Sequence, residues 1–147
     1  MDDIPSSLQN IVQNKKSIKE IGIDKDLAKF GDTVTNFIYS LAKSVVLGKL
    51  DQRKVSRLIL SAALKQSDMK KFAKTRSDAH GLADTTEALI GYTYCIGWSL
   101  ESMAEVLIET LKNYDLNDFK IEKLGAIKAF THLLLKIKSH LLTIFSS

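Results

Sequence analysis

Helix breakers are scarce in this chain. One proline, Pro5, and seven glycines are all that its 147 residues contain. That is too few for a β-sandwich or barrel, whose many turns draw heavily on both residue types. Long helices are predicted instead, and the fold class is all-α. The length suits one hydrophobic core, so 1–147 reads as a single domain. A hydrophobic fraction of 45% with 26% charged residues excludes a disordered chain.

Periodicity and caps divide the chain into six or seven helices. Ser6-Ser7 is predicted to cap a first helix running to about Lys19, which Gly22 ends. Asp24 or Asp26 opens a long helix ending near Gly48, with Leu27, Phe30, Val34, Phe37, Ile38, Leu41 and Val45 as its apolar set. Asp51 opens a third helix to about Lys65, with Val55, Leu58, Ile59 and Ala62 inward. A short helix follows Ser67, and Arg76 to Gly81 reads as a loop. The segment from Leu82 to Ile96 is apolar nearly all round, the mark of a central helix. Ser99 or Ser102 starts the next helix, and Asn117 or Asp118 caps the last. In that last helix, Phe130, Leu134, Ile137, Leu141 and Ile144 alternate spacings of four and three, widened by Leu133 and Leu142. Such a stripe faces either the chain's own core or a partner helix. Lys136, Lys138, His132 and His140 on the other side leave membrane-surface binding as a further option.

Charge and cysteine content limit the function classes. The net charge is +4 with a pI near 9.1, which fits a polyanion partner without requiring one. Residues 51–80 carry eight basic against three acidic side chains, and 119–147 carry five against one. Between them, 84–118 carry seven acidic against one basic. This is either fluctuation among solvated helix faces or an acidic cation site with basic flanks for a phosphate backbone. A single cysteine, Cys95, permits no internal disulfide and no thiolate zinc cluster. The start, Met1-Asp2-Asp3-Ile4-Pro5, is unlike a signal peptide, and no apolar run approaches the ~18 residues of a membrane span. A cytoplasmic location with no membrane partner is the expectation. No phosphate-binding glycine loop and no Gly-X-Ser-X-Gly occurs.

The chemistry concentrates in two segments. The first is Phe30-Gly31-Asp32-Thr33-Val34 within the long helix, and the second is Ala83-Asp84-Thr85-Thr86-Glu87-Ala88-Leu89-Ile90-Gly91. Asp84 and Glu87, three apart, project from one helical face. Gly31 and Gly91 are costly in mid-helix, at about 1 kcal/mol each relative to alanine, and close approach of another helix is one compensation. If the two helices cross at these glycines, Asp32, Asp84 and Glu87 converge. A carboxylate cluster repels itself unless a hard cation sits among the oxygens, and Mg²⁺ suits few carboxylates and several waters. The alternative is structural. Asp84 and Glu87 in a first helical turn complement the helix dipole, and Asp32 lies on a solvated side with Lys29, Asn36 and Lys43.

These two segments resemble the catalytic domain of ribonuclease III. That family carries a helix with a Glu-Phe-Leu-Gly-Asp run and, some 50 to 70 residues later, a helix reading Ala-Asp-X-X-Glu-Ala-Leu-Ile-Gly. Ala83 to Gly91 matches the second throughout, and Gly31-Asp32 with Phe30 matches the first in part. The resemblance covers about residues 24–114, leaving the C-terminal helix, 117–147, without an assigned role. It implies that Asp32, Asp84 and Glu87 are metal-binding and catalytic carboxylates for Mg²⁺, with Mn²⁺ as a substitute. It also implies hydrolysis of phosphodiesters in double-stranded or structured RNA to 5′-phosphate and 3′-hydroxyl ends, by a homodimer. The family's glutamate four residues before its aspartate is replaced here by Ala28. In that, in size, and in its Glu-Ala-Leu-Ile-Gly-Tyr run, the chain resembles the stand-alone miniature class, which lacks a double-stranded-RNA-binding domain.

Candidate RNA contacts are Lys70, Lys71, Lys74 and Arg76, just before the Asp84 motif, with Arg53, Lys54 and Arg57 as a second set; His80, in the loop before Asp84, reads as a loop histidine with no role in preference to a phosphate contact. Tyr92, Tyr94 and Trp98 are expected in the core or a dimer contact rather than stacked on bases. Two other readings stay open: a catalytically degenerate RNA-binding module, favoured by Ala28, and a protein-interaction subunit using the Phe130–Ile144 stripe.

Overall fold

The computed structural model describes residues 3–145, so Met1 and Asp2 lie outside the described residues. Among the described residues the elements are seven α-helices and one 3₁₀ turn. α1 spans Ile4–Val12 and is capped by Asp3, whose carboxylate accepts the Ser6 N–H, with Pro5 in the first turn. The single helix predicted to Lys19 is therefore two. The chain leaves helix after Val12, and Ser17 caps a new helix, α2, Ile18–Gly22, by accepting the Glu20 N–H. Ser6 and Ser7 sit inside the first turn because Asp3 and Pro5 make the stronger start.

α3, Lys25–Leu47, runs as predicted from an Asp24 cap to Gly48, which closes it in the left-handed conformation at φ 75°. One face buries Leu27, Val34, Ile38 and Ala42. Phe30, Phe37 and Val45, predicted inward with them, lie on another face and are 38%, 48% and 64% exposed.

The predicted helix start at Asp51 is displaced to Ser56, and α4 spans Arg57–Gln66. Residues 51–56 instead lie as an extended strap along α3, held by a ladder of side chains. Ser44 Oγ accepts the Asp51 N–H (2.9 Å), Ser40 Oγ the Arg53 N–H (3.1 Å) and Asn36 Oδ1 the Val55 N–H (2.8 Å). The match is geometric: four residues of helix rise about 6.0 Å, and two residues of extended chain rise about 6.6 Å. Val55 is buried as expected, but from the strap, and α4 turns Leu60, Ala63 and Leu64 inward, leaving Leu58 exposed and Ala62 half-buried.

After the 3₁₀ turn Lys70–Phe72, α5 spans Ala79–Cys95. It starts three residues before the predicted Leu82 because the Asp78 carboxylate accepts the Gly81 N–H. α5 is the central helix, buried on almost every side and packed against α3, α4 and α2. Its paired threonines staple it to neighbours: Thr85 Oγ1 donates to the Gly22 carbonyl (2.8 Å) and Thr86 Oγ1 to the Leu60 carbonyl (2.9 Å).

α6, Leu100–Leu111, starts from Ser99, and α7, Phe119–Ile144, from Asp118. The α7 stripe packs into the chain's own core: Phe130, Leu133, Leu134, Ile137 and Leu141 are fully buried. Ile144 and Leu142 at its end stay about half exposed. Glu122 of α7 is buried in an ionic cluster. It accepts from Tyr39 Oη (2.7 Å) and pairs with Lys43 (3.1 Å) and Arg53 (3.3 Å), so α7, α3 and the strap are tied at one point. No helix among the described residues is long and apolar enough to cross a membrane.

Candidate active site

The site begins with two glycines. A Cβ on Gly31 would stand 1.7 Å from the Glu87 carbonyl oxygen, and one on Gly91 would stand 2.9 Å from Gly31 Cα. α3 and α5 therefore cross backbone on backbone, which only glycine permits. Asp32 follows Gly31, and Glu87 lies one turn before Gly91. The crossing thus sets these two carboxyls within hydrogen-bonding reach of each other.

Proximity and burial split their acidities. Burial, the Asp32 hydrogen bond and the charges of Asp32 and Asp84 push Glu87 up to about 9. Asp32 is held below the usual carboxylate range by the hydrogen bond from Glu87, and by Lys54 and Asn36. At neutral pH the proton of the pair rests on Glu87, which donates to the Asp32 carboxylate. Asn36 Nδ2 donates to Asp32 Oδ1 at 3.0 Å, and Lys54 Nζ stands 3.2 and 3.4 Å from the two Asp32 oxygens.

Asp84 shares the Glu87 face of α5 but stands nearer the rim, half exposed, with His80 Nε2 3.9 Å from its carboxylate. His80 is helical, one turn before Asp84, because α5 starts early. Asp84 and Glu87 are therefore beyond the first turn of α5, and the helix dipole does not account for them. All three carboxylates line one open cavity of about 490 Å³ between α3 and α5. Ala28, one turn before Asp32, lines it too, as do Lys54, Arg57, Lys74 and His80. Lys25 and Lys29 also line it. Their signal in the sequence was their offset on α3: Lys25 and Lys29 lie seven and three residues before Asp32.

The convergence is partial. Asp32 and Glu87 touch, whereas Asp84 shares only the cavity. Among the described residues no group of three or more His, Cys, Asp or Glu side chains is gathered closely enough to hold a metal ion. The donor set still fits a hard cation. It is all oxygen, two of its carboxyls already share a proton that a cation would replace, and the cavity has room for water ligands.

Of the candidate RNA contacts, Lys74 lines the cavity and Lys70, Lys71 and Arg76 do not. Lys70 and Lys71 sit on the 3₁₀ turn, where Lys71 Nζ lies over the Phe72 ring at 5.6 Å. Arg53 points away from the cavity: its guanidinium pairs with Glu122 and stacks over Phe119 at 4.8 Å. Alternation along the extended strap sends Arg53 to the cluster and Lys54 to the cavity. Tyr92 packs near Phe145, Tyr94 near Phe30 and Trp98 near His140.

An all-helical domain that brings Gly31-Asp32 and the Asp84–Gly91 motif to one basic-rimmed cavity has the architecture of an RNA-related nuclease. The family described as Ribonuclease III matches residues 25–143, and the chain belongs to that family. The match runs past residue 114 almost to the end of α7, so the C-terminal helix is part of what the family shares. No curated protein matches the chain.

Proposed function

We propose that this protein is a Mg²⁺-dependent endoribonuclease that hydrolyses phosphodiester bonds in double-stranded or structured RNA. The observation that carries the reading is the Gly31–Gly91 crossing, which sets Asp32 against Glu87 in the cavity that Asp84 also lines. Asp32, Asp84 and Glu87 would hold the ion, with Mn²⁺ as a substitute. When bound, it supplies an activated water and offsets charge on the phosphate oxygens. Glu87, which holds the proton of the Asp32–Glu87 pair, would have to be ionised to serve as a ligand. Lys74, Arg57 and His80 on the rim bind backbone phosphates on either side of the scissile bond. Water oxygen adds to phosphorus, the bond to the 3′ oxygen breaks, and that oxygen takes a proton. The products are a 5′-phosphate and a 3′-hydroxyl.

Duplex RNA is read through its shape, phosphates and 2′-hydroxyls rather than its base edges. The exposed α3 face of Phe30, Phe37 and Val45 supports a homodimer with two cavities on one duplex. The test is incubation of the full chain with end-labelled duplex RNA in Mg²⁺, beside EDTA and Glu87→Gln controls. Cleavage lost in both controls is expected. Salt-sensitive binding without any Mg²⁺-dependent product would overturn the enzyme and leave a non-catalytic RNA-binding module, which Ala28 favours.

A further inference from the structure

Three side chains of α3 hold the strap, and one of them differs in kind. Ser44 Oγ accepts the Asp51 N–H at 2.9 Å and donates to the Asp51 carbonyl at 3.1 Å. Ser40 Oγ does the same with Arg53, at 3.1 and 3.5 Å. Each serine thus spends both functions of its hydroxyl on the strap. Asn36 forms the rung nearest the carboxylates. Its Oδ1 accepts the Val55 N–H at 2.8 Å, but its donor goes elsewhere: Nδ2 reaches back one turn of α3 to Asp32 Oδ1, at 3.0 Å. Holding the strap needs no amide, as Ser40 and Ser44 show. The amide is what allows one side chain to hold the strap and Asp32 together.

The strap also decides which way that amide faces. A backbone N–H only donates, so Val55 requires the oxygen. An ionised carboxylate only accepts, so Asp32 requires Nδ2. Turning the amide over would set oxygen against oxygen and N–H against N–H, and both bonds would be lost. Val55 is 5% exposed, so its N–H depends on Asn36. The contrast with the other donor on Asp32 is plain. The Lys54 side chain is 75% exposed and free to swing, whereas Asn36 is half-buried and tied at both ends. A carboxylate has about four acceptor sites, so the one given to Asn36 leaves oxygen for a cation.

We propose that Asn36 is a positioning residue: its amide, oriented by the strap, fixes the Asp32 carboxylate in the orientation in which it serves a divalent cation. This rests on the endoribonuclease reading above. Asn36 touches neither the ion nor the RNA and acts through Asp32 alone. Hydrogen bonds of this kind restrict the rotation of a ligating carboxylate and favour its charged form.

The test compares the full-length wild type with Asn36→Ser and Ser40→Ala, using Mn²⁺ alone as the metal probe. Serine at 36 can keep the rung, as Ser40 and Ser44 do, but has no amide to reach Asp32. Alanine at 40 removes a rung and leaves Asp32 untouched. Titration calorimetry is expected to show Asn36→Ser binding Mn²⁺ about tenfold to a hundredfold more weakly, with a metal-free Tm close to that of the wild type. Ser40→Ala should lower the Tm by a few degrees and bind Mn²⁺ as the wild type does. Single-turnover cleavage of labelled duplex RNA by Asn36→Ser should slow by a similar factor at limiting Mn²⁺ and recover as Mn²⁺ is raised. Mn²⁺ binding by Asn36→Ser within about threefold of the wild type overturns the proposal. So does Ser40→Ala weakening Mn²⁺ as much as Asn36→Ser, since the strap and not the amide would then be what counts. An Asn36→Ser chain that does not fold overturns it too, because the amide would then be holding the fold. A wild type that binds Mn²⁺ but cleaves no RNA overturns the endoribonuclease, and the affinity ratio still decides Asn36. A wild type that binds no Mn²⁺ overturns both.

Discussion

Glu122 and Glu87 are both withdrawn from water on long helices, and the fold treats them in opposite ways. Glu122 is 3% exposed and fully compensated, by the Tyr39 hydroxyl, the Lys43 ammonium and the Arg53 guanidinium. Glu87 faces Asp32 and Asp84, and it escapes the conflict by keeping a proton to about pH 9. Buried charge that is paired in advance fastens elements together. Buried charge left opposite its own kind is held ready for a ligand, which is the arrangement expected of a functional site. The strap belongs to both regions, since Arg53 serves the first and Lys54 the second.

The contrast can be broken from either side. Glu87→Gln should reduce cleavage by about a thousandfold, the equivalent of several kcal/mol of lost charge stabilisation. The same variant should stabilise the metal-free protein. A carboxyl raised from 4.5 to about 9 binds its proton more tightly in the fold. Its contribution is full below the unfolded value and is lost as pH rises toward 9. Glutamine removes that loss, so at pH 7 the gain should be on the order of 1 kcal/mol after allowance for partial exposure, or about 2–4 °C in Tm. Differential scanning fluorimetry across pH 5–9 checks it, and a Tm that falls would refute the poised state of Glu87.

Glu122→Ala should do the reverse. It leaves buried Lys43 with Asp51 alone, 3.4 Å away, and takes the carboxylate from Arg53 and Tyr39, at a cost of about 3 kcal/mol, measured as a shift in urea midpoint. Gly31→Ala forces a methyl into the Glu87 carbonyl. It should cost about 1–3 kcal/mol and weaken Mn²⁺ binding, because the two carboxyls no longer meet.

The smallest effect is at Asp24, the cap of α3. Burial alone would raise its pKa, and hydrogen bonds from Lys15 and the Leu27 N–H outweigh that and lower it. Its stabilisation should therefore be present above the ordinary aspartate range and lost as pH falls through it. Asp24→Ala should cost about 1 kcal/mol near neutral pH and less in acid, which thermal melts at pH 7 and pH 3 would resolve.

Much of the site could be read before the fold was known. The Asp84–Gly91 run and Gly31-Asp32 placed the carboxylates, and two mid-helix glycines placed the crossing, because only close contact compensates such residues. Asn36 was legible in part, one turn beyond Asp32. The inward turn of Arg53 and the seat of Lys54 were not, since both depend on an extended strap where a helix was expected.

The sequence by itself determined the all-helical class and the end of α3 at Gly48, and it narrowed the helix starts to Asp24 or Asp26, Ser99 or Ser102, and Asn117 or Asp118, and the α7 stripe to the core or a partner helix. Each is decided within a turn or two of chain, by a cap, a left-handed glycine or an apolar period. The tertiary structure decided the strap, the exposure of Phe30 and Phe37, and the ion pair on Asp32. Strap residues 51–56 satisfy their backbone on Ser44, Ser40 and Asn36 of α3. A side chain seven to nineteen residues away thus outbid the local helix, and no local preference records that competition.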